Sequence, residues 1–183
     1  MSVDVIATHN NKIMLKASCV IVDVQGFKGN NNEFILKELA ISFNEHEFQN
    51  FIVQPPHQFE KLMKIKQKEA NWLSKNHHGL GWNDGSVTYK SVKKFLLENH
   101  ITAVYVKGEE KKNWLSHMLQ NKVMIQNLEE YGCPSFKVLR KTYPSRTMLC
   151  TSHQGICALK NASLLRFFFN DQKENIHQIN FFL

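Results

Sequence analysis

The sequence predicts an α/β domain with a mixed central sheet of about five strands flanked by helices. Three strand-like runs come consecutively in the first third, and strand-like and helix-like runs then alternate. No apolar run approaches the roughly 18–20 residues that a membrane helix needs. The length of 183 residues suits one domain over 1–183. Three consecutive strands can form a meander, whereas the later strands need right-handed helical crossovers that cover the faces of the sheet.

Each element follows from local chemistry. Residues 19–24 (CVIVDV) are short, apolar and β-branched, and read as a buried strand. Residues 26–32 (GFKGNNN) read as a turn, 34–43 as a second strand, and 48–54 as a third that Pro55-Pro56 ends. Residues 59–75 have helical periodicity, with Leu62, Ile65, Trp72 and Leu73 on one face and lysines on another. A polar loop covers 76–85. Residues 88–99 read as a helix with Val92, Phe95 and Leu96 inward, 103–106 as a strand, 111–120 as a helix around Trp114, Leu115, Met118 and Leu119, and 123–128 as a strand. Residues 155–170 form the last predicted helix, burying Leu164, Leu165 and Phe168, and the apolar tail 176–183 suits an edge strand.

The N-terminus lacks a charged start followed by a long apolar stretch, so no signal peptide is expected. The expected setting is cytoplasmic or nuclear, without a membrane. There thiols stay reduced, and four cysteines point to metal binding or burial rather than disulfides. The net charge of +7 and pI near 9.2 suit a polyanion such as nucleic acid, although basic soluble proteins without such a partner share this charge.

The most specific local pattern is Cys150-x2-His153-x3-Cys157, at the start of the last predicted helix. Three soft ligands this close suit one zinc ion. The plainer reading is two buried thiols and a loop histidine, and a Cys157–His153 nucleophile pair would exclude the metal. Cys133 in YGCPSF is one candidate for a further ligand, or else a buried turn thiol.

The strand VIVDVQGF resembles the first motif of DEDD-type 3′–5′ exonucleases, Asp-x-Glu on the first strand of an RNase H-like fold, with Asp23 present and Gln25 in place of the Glu. In VYVKGEEKKNWL, Lys107-Gly108 and Lys112 stand at the family's His-Asn and Asp positions. In ICALKNA, the third motif keeps both alanines but has Ile156 for the His and Asn161 for the Asp. A two-metal site needs several anionic oxygens around its cations. With Asp23 alone left, this set (Asp23, Gln25, Lys112, Ile156, Asn161) is catalytically degenerate.

A narrower resemblance is to the Maelstrom domain of the piRNA pathway, which has lost those carboxylates and carries a zinc-binding Glu-Cys-His-Cys set. Glu38-Leu39-Ala40, Cys150-x2-His153 and Cys157-Ala158-Leu159 match its ligand segments, and the likeness spans roughly 19–169. It implies an RNase H-like fold, with structural zinc held by Glu38, Cys150, His153 and Cys157, ahead of Cys133 as fourth ligand. It also implies binding of single-stranded RNA or a role with RNA-silencing proteins. A metal-independent ribonuclease, or a protein-interaction module of mobile-element or viral origin, are the alternatives.

For RNA contact, the expected cations are Lys61, Lys64, Lys68 and Lys75 along the first helix, and Lys107, Lys111 and Lys112 beside the degenerate cleft. Lysines on a helix are otherwise its solvated face. Trp82, Tyr89 and Tyr105 are candidates to stack bases. His77, His78 and Asp84 read as part of a polar loop rather than a second metal site.

Overall fold

A computed structural model describes residues 19–99, 101–144 and 150–174. The tail 176–183, expected as an edge strand, and the N-terminal stretch read for a signal peptide lie outside the described residues.

Five strands form one mixed sheet in the order β3-β2-β1-β4-β5. β1 (Cys19–Lys28), β2 (Phe34–Ser42) and β3 (Phe48–Ile52) make the expected antiparallel meander. β4 (Ala103–Val106) and β5 (Met124–Asn127) run parallel to β1. The helices are α1 (Lys64–Asn76), α2 (Tyr89–Glu98), α3 (Glu109–Met118), α4 (Phe136–Thr142) and α5 (Ala158–Asp171). This is the mixed α/β architecture expected from the sequence.

Alternation along β1 sets the two faces. Val20, Val22 and Val24 join the core that Val92, Leu96, Leu115 and Met118 of α2 and α3 close. Ile21 points the other way, into a second core with Leu164, Leu165, Phe168 and Phe169 of α5. β1 runs past the turn expected at Gly26, because the hairpin resumes after a register shift between Gln25 and Gly26. A Cβ at Gly26 would collide with the carbonyl oxygen of Ile35, which explains a glycine inside a strand.

Several boundaries differ from expectation for identifiable reasons. α5 starts at Ala158 rather than 155, since Gly155 has φ +99° and Cys157 is extended as N-cap. α3 starts two residues early, with Glu109 and Glu110 favoured at a helix N-terminus. α4 was not anticipated. Its seven residues are too few for a readable period, and Ser135 caps it by accepting from the Val138 N–H at 3.4 Å.

The expected inward face of α1 is corrected. Leu62 is buried but precedes the helix, in the break after a short 3-10 turn (Phe59–Lys61). The helix then turns Ala70 and Leu73 inward against Phe27, Ile35 and Trp82, and leaves Ile65 and Trp72 each 59% exposed.

One buried cation ties this side together. Lys37 on β2 is fully buried, and its Nζ donates to the carbonyl oxygens of Val53 (2.8 Å), Trp82 (2.8 Å) and Asp84. Burial outweighs the attraction of Asp84 and lowers its pKa to about 8. Lys37→Met would strand three acceptors, and a loss of roughly 2–4 kcal/mol is expected in urea unfolding. Unchanged stability would show that the three bonds contribute nothing net.

Candidate metal centre

Glu38 sits mid-strand on β2 with no solvent exposure. An uncompensated carboxylate there would be very costly, and four groups converge on it. The Ala158 N–H, at the first turn of α5, donates to Oε2 at 2.8 Å. Asn50 Nδ2 on β3 donates to Oε1 at 3.1 Å, and the Cys157 thiol approaches the same oxygen at 3.5 Å. His153 Nε2 lies 3.1 Å from Oε1. Burial alone would push the Glu38 pKa up, but His153, the Ala158 N–H and Asn50 together hold it below the usual carboxylate range.

Cys150 completes the set. One ligand atom from each of Glu38, Cys150, His153 and Cys157 lies within 4.8 Å of the others. A tetrahedral cage with ordinary bond lengths has edges of about 3.3 Å between N and O and about 3.5 Å between S and O, close to the 3.1 Å and 3.5 Å found. The His153 side chain is 2% exposed, and its Nε2 makes no directed hydrogen bond, while Nδ1 contacts the Gln154 carbonyl at 3.3 Å. That arrangement turns Nε2 toward the cluster, as a ligating imidazole requires. Without a metal, Cys157 and Glu38 raise the His153 pKa to about 11, so a proton is held where a cation would sit. Burial pushes the Cys157 thiol up. At Cys150 burial acts the same way, but the backbone N–H groups of His153 and Ser152 pull the thiol down. The donor set fits a metal ion. It leaves no open position, so the bound ion would be structural. Cys157 is buried with a raised pKa, which argues against the nucleophile pairing.

The loop carrying Cys150 and His153 is braced by the 76–85 loop. Ile156 N–H donates to the His77 carbonyl at 2.8 Å. Gly79 (φ +74°) and Gly155 (φ +99°) face each other's loops so closely that a Cβ on either would collide with a carbonyl oxygen, of Gln154 and His77 respectively. His78 is fully buried edge-on to Phe27 at 4.9 Å, and burial lowers its pKa to about 4. A loop that read as merely polar is thus the buttress of the site. The bracing glycines and Asn50 escaped the sequence reading, and only the close Gly-x-Gly spacing at 79–81 hinted at a backbone approach.

The other positions sort clearly. Asp23 and Asn161 do meet, with Asn161 Nδ2 donating to Oδ2 at 2.9 Å in the buried interior. The cation on Asp23 is Lys111, whereas Lys112 pairs at the surface with Glu130 (2.7 Å) and Glu109 (3.7 Å). Gln25 is buried nearby on β1, and Ile156 faces solvent at 38% exposure. Lys107 is bound to Glu129 at 2.6 Å. The expected basic cleft at 107–112 is therefore largely neutralised by ion pairs. Lys61, Lys64, Lys68 and Lys75 lie exposed on α1 and the turn before it. Cys133 is buried away from the cluster, and burial raises its pKa to about 11. Trp82 and Tyr105 are buried, and of the three candidate stacking residues only Tyr89 is exposed.

No protein-family model and no curated protein matches this chain. A solved chain described as the yeast NOT1 MIF4G domain co-crystallized with CAF1 superposes with a TM-score of 0.55 at 10% identity, covering 88% of this chain and 81% of that one. At that identity the likeness speaks to the fold alone. The family assignment made from the sequence is therefore corrected: neither the Maelstrom domain nor the DEDD exonucleases are supported as relatives. The resemblance rested on short motifs such as Glu-Leu-Ala and Cys-x2-His, which unrelated chains can share. The metal cluster stands on its own geometry.

Gly155→Ala changes no ligand but would push the 150s loop off His77. A tenfold or greater loss of metal affinity is expected in competition titrations, with no such loss for Gly132→Ala, which is strained in the same way at φ +79° but where a Cβ meets nothing within 4 Å. Equal affinities would show that the buttress does not position the site.

Proposed function

We propose that this chain is a zinc-stapled, non-catalytic domain that binds single-stranded RNA, built on a sheet of the RNase H-like kind. The meander followed by two strands parallel to β1 supports the fold reading. Two thiolates, an imidazole and a carboxylate form a donor set suited to zinc. The ion would join β2 to the start of α5 and add several kcal/mol to folding. Against a catalytic role, Asp23 is sequestered by Lys111 and Asn161.

The observation that carries the RNA reading is the outward face of α1. Trp72 stands 59% exposed, with Lys68 and Lys75 four residues before and three after it on adjoining turns. Among the described residues neither lysine has a carboxylate partner, unlike those at 107–112. An exposed indole between free ammonium groups is what a single strand needs: a surface for a base and cations for phosphates. No described helix is long and apolar enough to cross a membrane.

Purified protein is expected to carry about one zinc, to lose structure with a strong chelator, and to lose the metal on Cys150→Ser. Because the His153 proton must leave before Nε2 can ligate, zinc affinity falls as pH falls, by about tenfold or more from pH 7 to 6. A zinc-free protein that is fully folded, with a pH-independent affinity, would refute the staple.

A short oligoribonucleotide is expected to bind and to survive uncut in EDTA. Trp72→Ala weakens binding by about 1–3 kcal/mol, and Lys68→Ala with Lys75→Ala flattens the salt slope by roughly 1.4. If nothing binds at low salt, the exposed Met63, Ile65 and Trp72 mark a protein-contact surface instead.

A further inference from the structure

A second feature shares no lining residue with α1 or the metal cluster. A cavity of about 630 Å³ opens between the start of β2, residues 53–57, the first turn of α2 and Trp114 of α3. Its size falls within the range of small-molecule sites. Its walls are aromatic: Phe34 and Trp114 meet edge-on at 5.0 Å, and Tyr89 lies 6.4 Å from Trp114. Tyr89, 43% exposed, is part of the lining. Gln54, His57 and Thr88 contribute hydrogen-bonding groups to the same lining, Glu33 adds one carboxylate, and Ile35, Leu36 and Val53 complete the wall.

Charge points to the occupant. Lys90 lines the cavity, and Lys93 is one turn on, beside Tyr89 in an adjoining depression. Neither has a carboxylate partner among the described residues, whereas Lys28, Lys66, Lys94, Lys107, Lys111 and Lys112 all do. Aromatic faces with mixed donors and acceptors, and free cations at the rim, match a planar heterocycle attached to phosphate. An extended apolar peptide would leave those cations unanswered.

We infer that this cavity receives one nucleobase of a bound single strand, stacked on Tyr89 and walled edge-on by Trp114, whose ring lies at 73° to that of Tyr89, with Lys90 and Lys93 on the flanking phosphates. The inference rests on the RNA-binding reading above but uses different residues, so it can fail while that reading stands. Zinc-loaded full-length protein is titrated with a fluorescent 12-nucleotide RNA containing 4-thiouridine, then irradiated, and the crosslinked residues are mapped by mass spectrometry. Crosslinks are expected at Tyr89 or Trp114. Tyr89→Ala should weaken binding between about fivefold and 150-fold, as for one lost base–aromatic stack, while Tyr89→Phe keeps most of it. Tyr89 is exposed enough that the variant should fold, which thermal melting checks. If the RNA binds and Trp72→Ala weakens it, but Tyr89→Ala does not and crosslinks fall elsewhere, the cavity assignment is overturned and the α1 reading stands. If wild-type protein binds no RNA at low salt, both are overturned.

Discussion

A carboxylate with no access to water, in the middle of a strand covered on both faces, constrains the rest of this structure. Glu38 cannot stay ionised there alone, and its answers come from three separate parts of the chain. Asn50 reaches it from the neighbouring strand, the Ala158 N–H from the start of the last helix, and His153 with Cys157 from the loop before that helix. Because the helix N-terminus is positive, α5 is held where its dipole meets the charge. The same convergence that satisfies the carboxylate builds a four-ligand cage. Electrostatics and metal chemistry therefore ask for one arrangement, and a bound cation would take the place of the proton that the cluster otherwise keeps on His153.

The helix that answers Glu38 also answers a second buried acid. Asp23 pairs across the sheet with Ala40, two residues along β2 from Glu38, so both carboxylates face α5. Ala158 and Asn161 are three residues apart on one helix face, and one serves each acid. Ala40, Ala158 and Ala162 pack together between them, and side chains this small let the helix come close enough for a backbone N–H to reach the strand. Lys37, adjacent to Glu38, secures a different segment by holding the carbonyls of Val53, Trp82 and Asp84. Two neighbouring buried charges on β2 thus fix the helix and a loop against the sheet.

What could be read in advance follows from which forces are local. The strands were legible because alternation and β-branching express burial residue by residue, as in Val20, Val22 and Val24. Cys150, His153 and Cys157 were legible as candidate ligands because such residue types at short spacing are rare, whereas Glu38 entered only through the Maelstrom resemblance, which is not supported. The orientation of α1 was not legible. Its apolar residues suggested one stripe through Leu62, Ile65, Trp72 and Leu73, but the chain breaks at Met63 and the helix turns Ala70 inward beside Leu73 while Ile65 and Trp72 face out. Periodicity shows that a helix has faces; which one the sheet takes depends on how the preceding segment arrives. The bracing of the metal loop was equally hidden, since Gly79 and Gly155 meet only in three dimensions.

Charge shows the same limit more sharply. Twenty-three basic against sixteen acidic side chains state a surplus but not its location. The lysines that looked best motivated, at 107, 111 and 112, are each matched to a carboxylate, one of them wholly buried. Every such pair is neutral and leaves the surplus untouched, which concentrates it on the lysines without partners. Those around α1 and at the first turn of α2 stand beside the exposed aromatic residues Trp72 and Tyr89. A net charge argues for a polyanion in general. Only the cancellation of charges inside the fold says where a polyanion would be felt, and here it shifts that field away from the cleft that sequence motifs favoured.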